Sequence, residues 1–509
     1  MVNLEGLQAD IRRAAGRRVA GIFDHHPLDA AAAGNRERYF EPGEPYYAAW
    51  ARWAWNPLEG SPQEFLDAWA ECRFPGAAGK VAAAYRELLG VRDKLLFPTG
   101  LARGFFAPWL SYFDWAVLSP ETCFEASYDA LRSGPLAFAE APYGYPPDGW
   151  SCRLFDENLR RTSLAENPAA WIDRFDATSP IRSAIANIED AAAASPDDPH
   201  LPRLLLWLRG SLALAQVYRD YAEAGIRASV LGDENRPEVR ILLQRALDAA
   251  YAYMSAPTSR NILWSRWGHK LTKMGWLRML QHKLGLGADR KVIVPEPLVA
   301  PVMPSGVLLP LDVSAAANTA SDWQFHDYPA DFPDDPHVPV NPEPHRFDWL
   351  PRGSVEYGGV PFRLSGSYIA LASKALPQLT GASGWIDGGG ELSCFHLLAA
   401  AVWREAPGVP IGVLEIEYGD GGRAELPIRF WEEVTNYKFA EVTPSAAVPV
   451  ILDEPGYHGH FTGQIRGINQ FRLVNPRPWE AVKRIRLKSS GAQASLLVFA
   501  ATAEAHPER

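Results

Sequence analysis

Cysteine is scarce in this chain, with four in 509 residues. Cys72, Cys123, Cys152 and Cys394 form no C-x-x-C pair and show no zinc-ligand spacing. A disulfide framework is therefore not expected, and the sequence reads as one with buried free thiols in a reducing compartment. No run approaches the roughly 18 apolar residues of a membrane span. The opening MVNLEGLQADIRRAAGRR is a basic amphipathic helix without an apolar core region, so no signal peptide is expected and the chain reads as cytoplasmic. A basic surplus is also missing. With a formal net charge of −10, the surface is a poor partner for nucleic acid, which needs clustered cations to neutralise phosphates. There is no G-x-S-x-G, no Walker loop, no dinucleotide fingerprint after a strand and no fixed-period repeat. None of these patterns calls for a cofactor or a metal.

What the chain does contain is an ordinary globular composition, 47% hydrophobic and 22% charged, in a length suited to two to four domains. Eighteen tryptophans are many. They serve either large cores or stacking platforms for sugar rings. The densest aromatic stretch, Tyr46 to Phe74, reads as two amphipathic helices. Tyr47, Trp50, Ala51, Ala54 and Trp55 recur at helical spacing, and Asn56-Pro57 ends the run because proline cannot continue the hydrogen-bond ladder. Ser61-Pro62-Gln63-Glu64 restarts it as a capping box, with Phe65, Trp69 and Phe74 on the next apolar face.

The period of the hydrophobic pattern divides the rest. Residues 1–45 read as a helix (Leu4 to Gly16), a buried strand at Arg18 to Phe23, and a loop. Residues 46–290 read as an α-helical domain, with helices near 62–73, 77–92, 180–194, 201–224, 237–255 and 259–284. Leu204, Leu208, Leu212, Ala215 and Tyr218 form a packing stripe. Residues 291–305 are proline-rich and read as an ordered linker. After them the period switches to two, and residues 306–509 read as an all-β domain. Its strands include Val307–Asp312, Val360–Leu364, Cys394–Val402, Gly412–Tyr418, Ile465–Val474 and Val482–Lys488, with a hairpin turn at Gly419-Asp420-Gly421-Gly422. The expected fold is multidomain α+β, an N-terminal all-α domain followed by a β-sandwich.

Two resemblances give this outline a functional direction. The aromatic helix, the Trp55-Asn56-Pro57 break and the following SPQEFLDAWAECRF resemble the segment after the barrel in α-glucuronidase-type glycoside hydrolases. That resemblance implies a chain corresponding to the post-barrel half of such an enzyme, without the catalytic barrel. The second lies in the β domain. Gly358-Gly359-Val360-Pro361-Phe362, the long strand ending at Trp403, EIEYGDGGRAELPIRF and Asn475-Pro476 resemble the galactose-binding-like jelly roll appended to many glycoside hydrolases. The resemblances together imply a carbohydrate-active protein that binds or hydrolyses an oligosaccharide or glycoside. A barrel-bearing partner or a homo-oligomer would complete it. A non-catalytic glycan-binding or scaffold protein of the same architecture is the alternative.

Glycosidic hydrolysis needs two carboxylates flanking the bond. Asp24, Glu41 and Glu44 stand in the stretch that would border such a site, with His25, His26, Trp50, Tyr143, Tyr145, Trp323, His326 and Trp431 as sugar-contacting candidates. Asp24-His25-His26-Pro27 after a strand also resembles the signature of DHH phosphoesterases, which use a two-manganese site. A metal-dependent hydrolase using those three residues is thus a second alternative. The further aspartates that family needs on earlier strands have no room before Asp24, and Gly388-Gly389-Gly390, like its later glycine motif, lacks the matching helical context. The bland reading of His25 and His26 is a polar loop.

Overall fold

The computed structural model describes residues 4–17, 44–89, 176–231, 236–257, 291–325, 346–455 and 463–505, with short gaps at 300–303, 404 and 439–440, and scattered positions at 91, 169, 173, 277, 280, 281 and 284–286. The chain divides into two compact units that meet in sequence at Gly287 and Ala288. The first is helical and the second is an antiparallel β-sandwich, as the switch in hydrophobic period implies. No helix among the described residues is long and apolar enough to cross a membrane.

In the helical unit the described helices are α1 (Leu4–Gly16), α2 (Glu44–Trp55), α3 (Pro62–Arg73), α4 (Ala78–Glu87), α5 (Thr178–Ala194), α6 (Leu201–Leu231) and α7 (Pro237–Met254). The start of α3 is set by local chemistry. Ser61 Oγ accepts the Glu64 amide at 3.2 Å, Glu64 Oε2 accepts the Ser61 amide at 2.7 Å, and Pro62 occupies the first turn. Its face of Phe65, Trp69 and Phe74 is buried, and Trp69 meets Phe74 and Tyr85 edge-on.

Two local readings are corrected. Helix α2 buries Pro45, Ala49 and Trp53 at successive intervals of four, whereas Ala51, Ala54 and Trp55 face solvent, Trp55 at 92% exposure. The deciding contact is Trp53, whose indole N–H donates to the Glu59 carbonyl at 2.9 Å and whose ring packs on Phe65. Helix α5 starts at Thr178, two residues before the expected start near 180. Asp176 Oδ1 accepts the Thr178 amide at 2.8 Å from just ahead of Ala177, the cap position, which has no side-chain hydrogen bond of its own.

Helix α6 carries a buried carboxyl among the apolar stripe of Leu204, Leu208, Ala215 and Tyr218. Asp220 is fully buried. Its Oδ1 accepts from Arg245 of α7 at 3.1 Å, and its Oδ2 has no hydrogen-bond partner among the described groups. Burial pushes this carboxyl up to about 6, against the pull of Arg245 and Arg219.

The sandwich unit contains β1 (Lys291–Ile293), β2 (Val307–Leu311), β3 (Thr319–Ala320), β4 (Gly353–Tyr357), β5 (Val360–Leu364), β6 (Ser367–Ala370), β7 (Ile386–Val402), β8 (Pro410–Tyr418), β9 (Arg423–Arg429), β10 (Ala446–Pro455), β11 (Gly463–Val474), β12 (Ala481–Ser489) and β13 (Ser495–Ala505). The path β1-β10-β11-β7-β12-β8-β9 is continuous, and β13 joins β7 to β2 and β6. The first part of β7 pairs with β12; the rest pairs with β11 on one side and β13 on the other. Strand β7 therefore passes from one layer to the other.

The passage runs through Gly388-Gly389-Gly390. Gly389 and Gly390 have φ of 84° and 133°, and a Cβ at Gly388 would lie 2.5 Å from the Val482 carbonyl oxygen. The triple glycine is a strand corner, which is why β7 begins eight residues before the expected Cys394. The core between the layers collects Phe395, Leu397 and Ala399 of β7, Phe471 and Leu473 of β11, Ile485 and Leu487 of β12, and Leu414 and Ile416 of β8. Leu398, Ala400 and Val402 face the other way, onto a second core with Phe362, Tyr368, Ile468 and Phe499.

Two measurements follow from this packing. Gly388→Ala is expected to cost about 2 kcal/mol, the scale of an overpacked core position, in urea denaturation of the sandwich. In the helical unit, folded Asp220 holds a proton that an unfolded aspartate, with a pKa of about 3.9, has released. Stability of that unit accordingly falls as pH rises from about 4 to about 6, the folded state being the one with the raised carboxyl. Asp220→Asn is expected to remove that fall in thermal melts followed by far-UV circular dichroism.

Candidate functional site

The residues singled out from the sequence are not drawn into one site by the described structure. Asp24, His25, His26, Glu41, Tyr143, Tyr145 and His326 lie outside the described residues. Glu44 opens α2 and is ion-paired with Arg73 of α3 at 3.2 Å; Arg73 also contacts His200 Nε2 at 3.0 Å. Glu44 is thus one end of a chain that ties α2 and α3 to the start of α6. His200 belongs to the loop that starts α6, with its amide on Asp198 Oδ1 at 2.8 Å. Trp50 is half-buried on α2. In the sandwich, Trp323 is half-buried and stacked on Phe325 at 5.3 Å. Trp431 is a core residue, 3% exposed, with φ of 63° and its ring edge-on to Phe430. Its ring faces protein, not solvent.

Among the described residues of the helical unit, one surface depression gathers carboxylates. Glu87, Leu89, Val91, Asp173, Asp176, Ser179 and Pro180 line an open cleft of about 480 Å³. Its three carboxylates are acceptors for hydroxyl groups. Asp176 is partly committed, since it accepts the Thr178 amide and lies 3.8 Å from Arg219.

The most chemically dense site lies in the sandwich and was not foreseen. Cys394 and His396 sit two apart on β7 and so project from the same side of the strand. The register places Glu504 of β13 beside Cys394, and Arg472 of β11 beside His396. Cross-strand partners share a face, so the four side chains meet. Glu504 Oε2 accepts from Cys394 Sγ at 3.0 Å and lies 3.0 Å from His396 Nε2. Sγ and Nε2 are 3.6 Å apart, and Arg472 Nε donates to Sγ at 2.9 Å. The other carboxylate oxygen, Oε1, accepts the Ser305 amide, the Ser305 hydroxyl and the Gly306 amide at 2.9, 3.0 and 3.0 Å.

Cys394, His396 and Glu504 are all buried. Burial alone would raise Glu504, but the hydrogen bonds from Cys394, His396 and Ser305 win and hold it at about 2. Burial lowers His396 despite the adjacent carboxylate, so its imidazole is neutral. Burial and donation to Glu504 push the Cys394 thiol up to about 11. At neutral pH the cluster therefore holds a carboxylate, a neutral imidazole and a thiol. The thiol is buried and protonated, which excludes it as a nucleophile for external substrates. The sequence did carry a signal for this site: a Cys-x-His pair within a strand, and one glutamate inside the otherwise apolar run SLLVFAATAEA. Of the described cysteines, Cys72 departs from the expected burial and is exposed, and both it and Cys394 are free thiols.

No protein-family model and no curated protein matches this chain. Among solved structures, one described as a GH138 enzyme targeting pectin rhamnogalacturonan II is 11% identical, with a TM-score of 0.31. The alignment covers 100% of this chain and 55% of that one, so the chain spans about half the length of that enzyme. At that identity and TM-score the likeness assigns neither a fold nor an activity here.

Proposed function

We propose that the chain is a carbohydrate-active protein that binds an oligosaccharide. The observation that carries this reading is where the galactose-binding-like phrases fall in the sandwich: they occupy its structural joints. Gly358 and Gly359, with φ of 58° and 75°, form the turn between β4 and β5. Asn475 of the Asn-Pro phrase accepts the Tyr418 hydroxyl at 2.6 Å and donates to the Leu392 carbonyl at 2.7 Å, which ties β8 to β7. The Gly419 to Gly422 turn joins β8 and β9 as a hairpin. Residues that merely sit in loops of similar composition would not be expected to hold these positions.

The acidic cleft of the helical unit supplies a place for such a ligand, since Glu87 and Asp173 present carboxylates to sugar hydroxyls. Trp479, 55% exposed in the loop before β12, is an aromatic surface of the kind that stacks on sugars. Hydrolysis would in addition require a carboxylate pair. Asp24 and Glu41 are the sequence candidates for it, with a barrel-bearing partner or a second copy to complete the site. The ion pair of Glu44 with Arg73 favours the non-catalytic version, because it commits the described candidate to holding helices together.

The test is a glycan panel screened for binding to the full chain, run beside aryl glycosides and uronosides as turnover substrates and light scattering for mass. The expected result is saccharide binding weakened about tenfold or more by Asp173→Asn or Trp479→Ala, an energetic scale of roughly 1.4 kcal/mol. Turnover lost in Asp24→Asn or Glu41→Gln would identify a hydrolase. Absence of both binding and turnover across the panel would overturn the carbohydrate reading.

A further inference from the structure

We propose that Cys394, His396 and Glu504 form a site for one transition-metal dication inside the sandwich, with zinc the best-matched ion. The donor set is a thiol sulfur, an imidazole nitrogen and a carboxylate oxygen, the three ligand types zinc accepts. Their ligand atoms all lie within 4.8 Å of one another. Zinc bonds of about 2.0–2.3 Å in a tetrahedron place ligand atoms roughly 3.3–3.7 Å apart. The sulfur–nitrogen separation of 3.6 Å already meets that spacing, and the two 3.0 Å separations to Oε2 need to open by only a few tenths of an ångström.

The surroundings are those of a held ligand set. Three donors fix Oε1, which leaves Oε2 as the single oxygen turned toward Cys394 and His396. Arg472 already donates to the sulfur, and an N–H donor there favours the thiolate that a metal requires. Its guanidinium lies 4.0 Å from Glu504 Oε2 and is one-third exposed, so the buried trio is a single side chain away from solvent. Three protein ligands would leave the fourth position of a tetrahedral zinc ion to water. As a purely structural network the group would be costly, since burying ionic groups is often no better than packing apolar ones in their place. The neighbouring positions on the same side of β7, Leu398, Ala400 and Val402, show that this face is otherwise built apolar.

The proton balance is specific. Glu504 is already ionised and His396 already neutral. To ligate through Nε2, His396 carries its ring proton on Nδ1, a tautomer shift that gives up the Nε2 hydrogen bond to Glu504 and releases no proton. The metal displaces the Cys394 proton, a sulfur–metal bond forms, and one proton leaves to solvent for each ion bound.

The experiment uses the full chain stripped with chelator, then titrated with cobalt(II) as a spectroscopic probe and with zinc in competition. The expected result is one ion per chain, a thiolate-to-cobalt charge-transfer band with tetrahedral visible bands, their loss on adding zinc, and a higher melting temperature with zinc. Calorimetry in buffers of different ionisation enthalpy should show proton release on binding, as thiolate ligation requires. Cys394→Ser should abolish the charge-transfer band, Cys72→Ser should leave it unchanged, and Ser305→Ala should weaken zinc about tenfold, the scale of losing an outer partner. A folded wild-type chain that gives no band in excess cobalt would overturn the proposal. So would a band that survives in Cys394→Ser.

Discussion

Strand β7 is the constraint on which the sandwich depends. It is a member of both layers, paired with β12 from Ile386 through the glycine corner to Glu391, and with β11 and β13 beyond it. A strand with partners on both edges and cores on both faces has nowhere to expose a side chain. Its last nine residues are buried almost without interruption, so the usual alternation of apolar and polar residues disappears. The corner itself needs residues without side chains, because the backbone of β12 runs directly against Gly388. Everything that pairs with β7 inherits its register, including the rows that bring Glu504 and Arg472 to Cys394 and His396.

Charge is handled differently in different parts of the molecule. On the outer side of β8, β9 and β12, Glu415 and Glu417 are each shared among several cations, including Arg423, Lys483, Arg484 and Arg486. Arg484 and Arg486 also lie over the Trp385 ring at 4.2 and 4.4 Å. The two glutamates are covered while several of their cations reach solvent, and together they form a cross-strand ladder over the sheet. The net acidity of the chain does not describe this face, where cations predominate locally. Asp220 is the opposite case, a carboxyl taken out of water with Arg245 on one oxygen and no hydrogen-bond partner among the described groups on the other. The cluster on β7 is a third solution, in which neutral and charged donors converge on a carboxylate and keep it ionised without water.

Legibility followed the range of the interactions. The limits of α1 and α3 were readable because caps, proline and helical period act within four residues. The β8–β9 hairpin was readable because its turn glycines announce it, and β5 because its apolar residues alternate between two turns. The face of α2 was misread since Trp50, Trp53 and Trp55 are equivalent in hydrophobicity, and only the Glu59 carbonyl and the Phe65 ring select Trp53 for burial. The Gly388 to Gly390 run fell outside the expected strand because glycine is as suited to a loop between two strands as to a corner inside one.

The sequence by itself determined the two-part architecture, helical then β, since the change in hydrophobic period near residue 306 is a property of the chain alone. It also determined the turn positions and the helix starts for which a local hydrogen-bonding group exists. Only the tertiary structure decided which polar residues meet. Cys394 and His396 are near neighbours in sequence, but Glu504 lies 110 and 108 residues away, and the pairing of β7 with β13 is what brings it to them. A shift of one residue in that register would turn Glu504 to the opposite face of the sheet, because side chains alternate along a strand. No pattern within a few residues encodes such a register. It is set by the fit of the two cores on either side of β7.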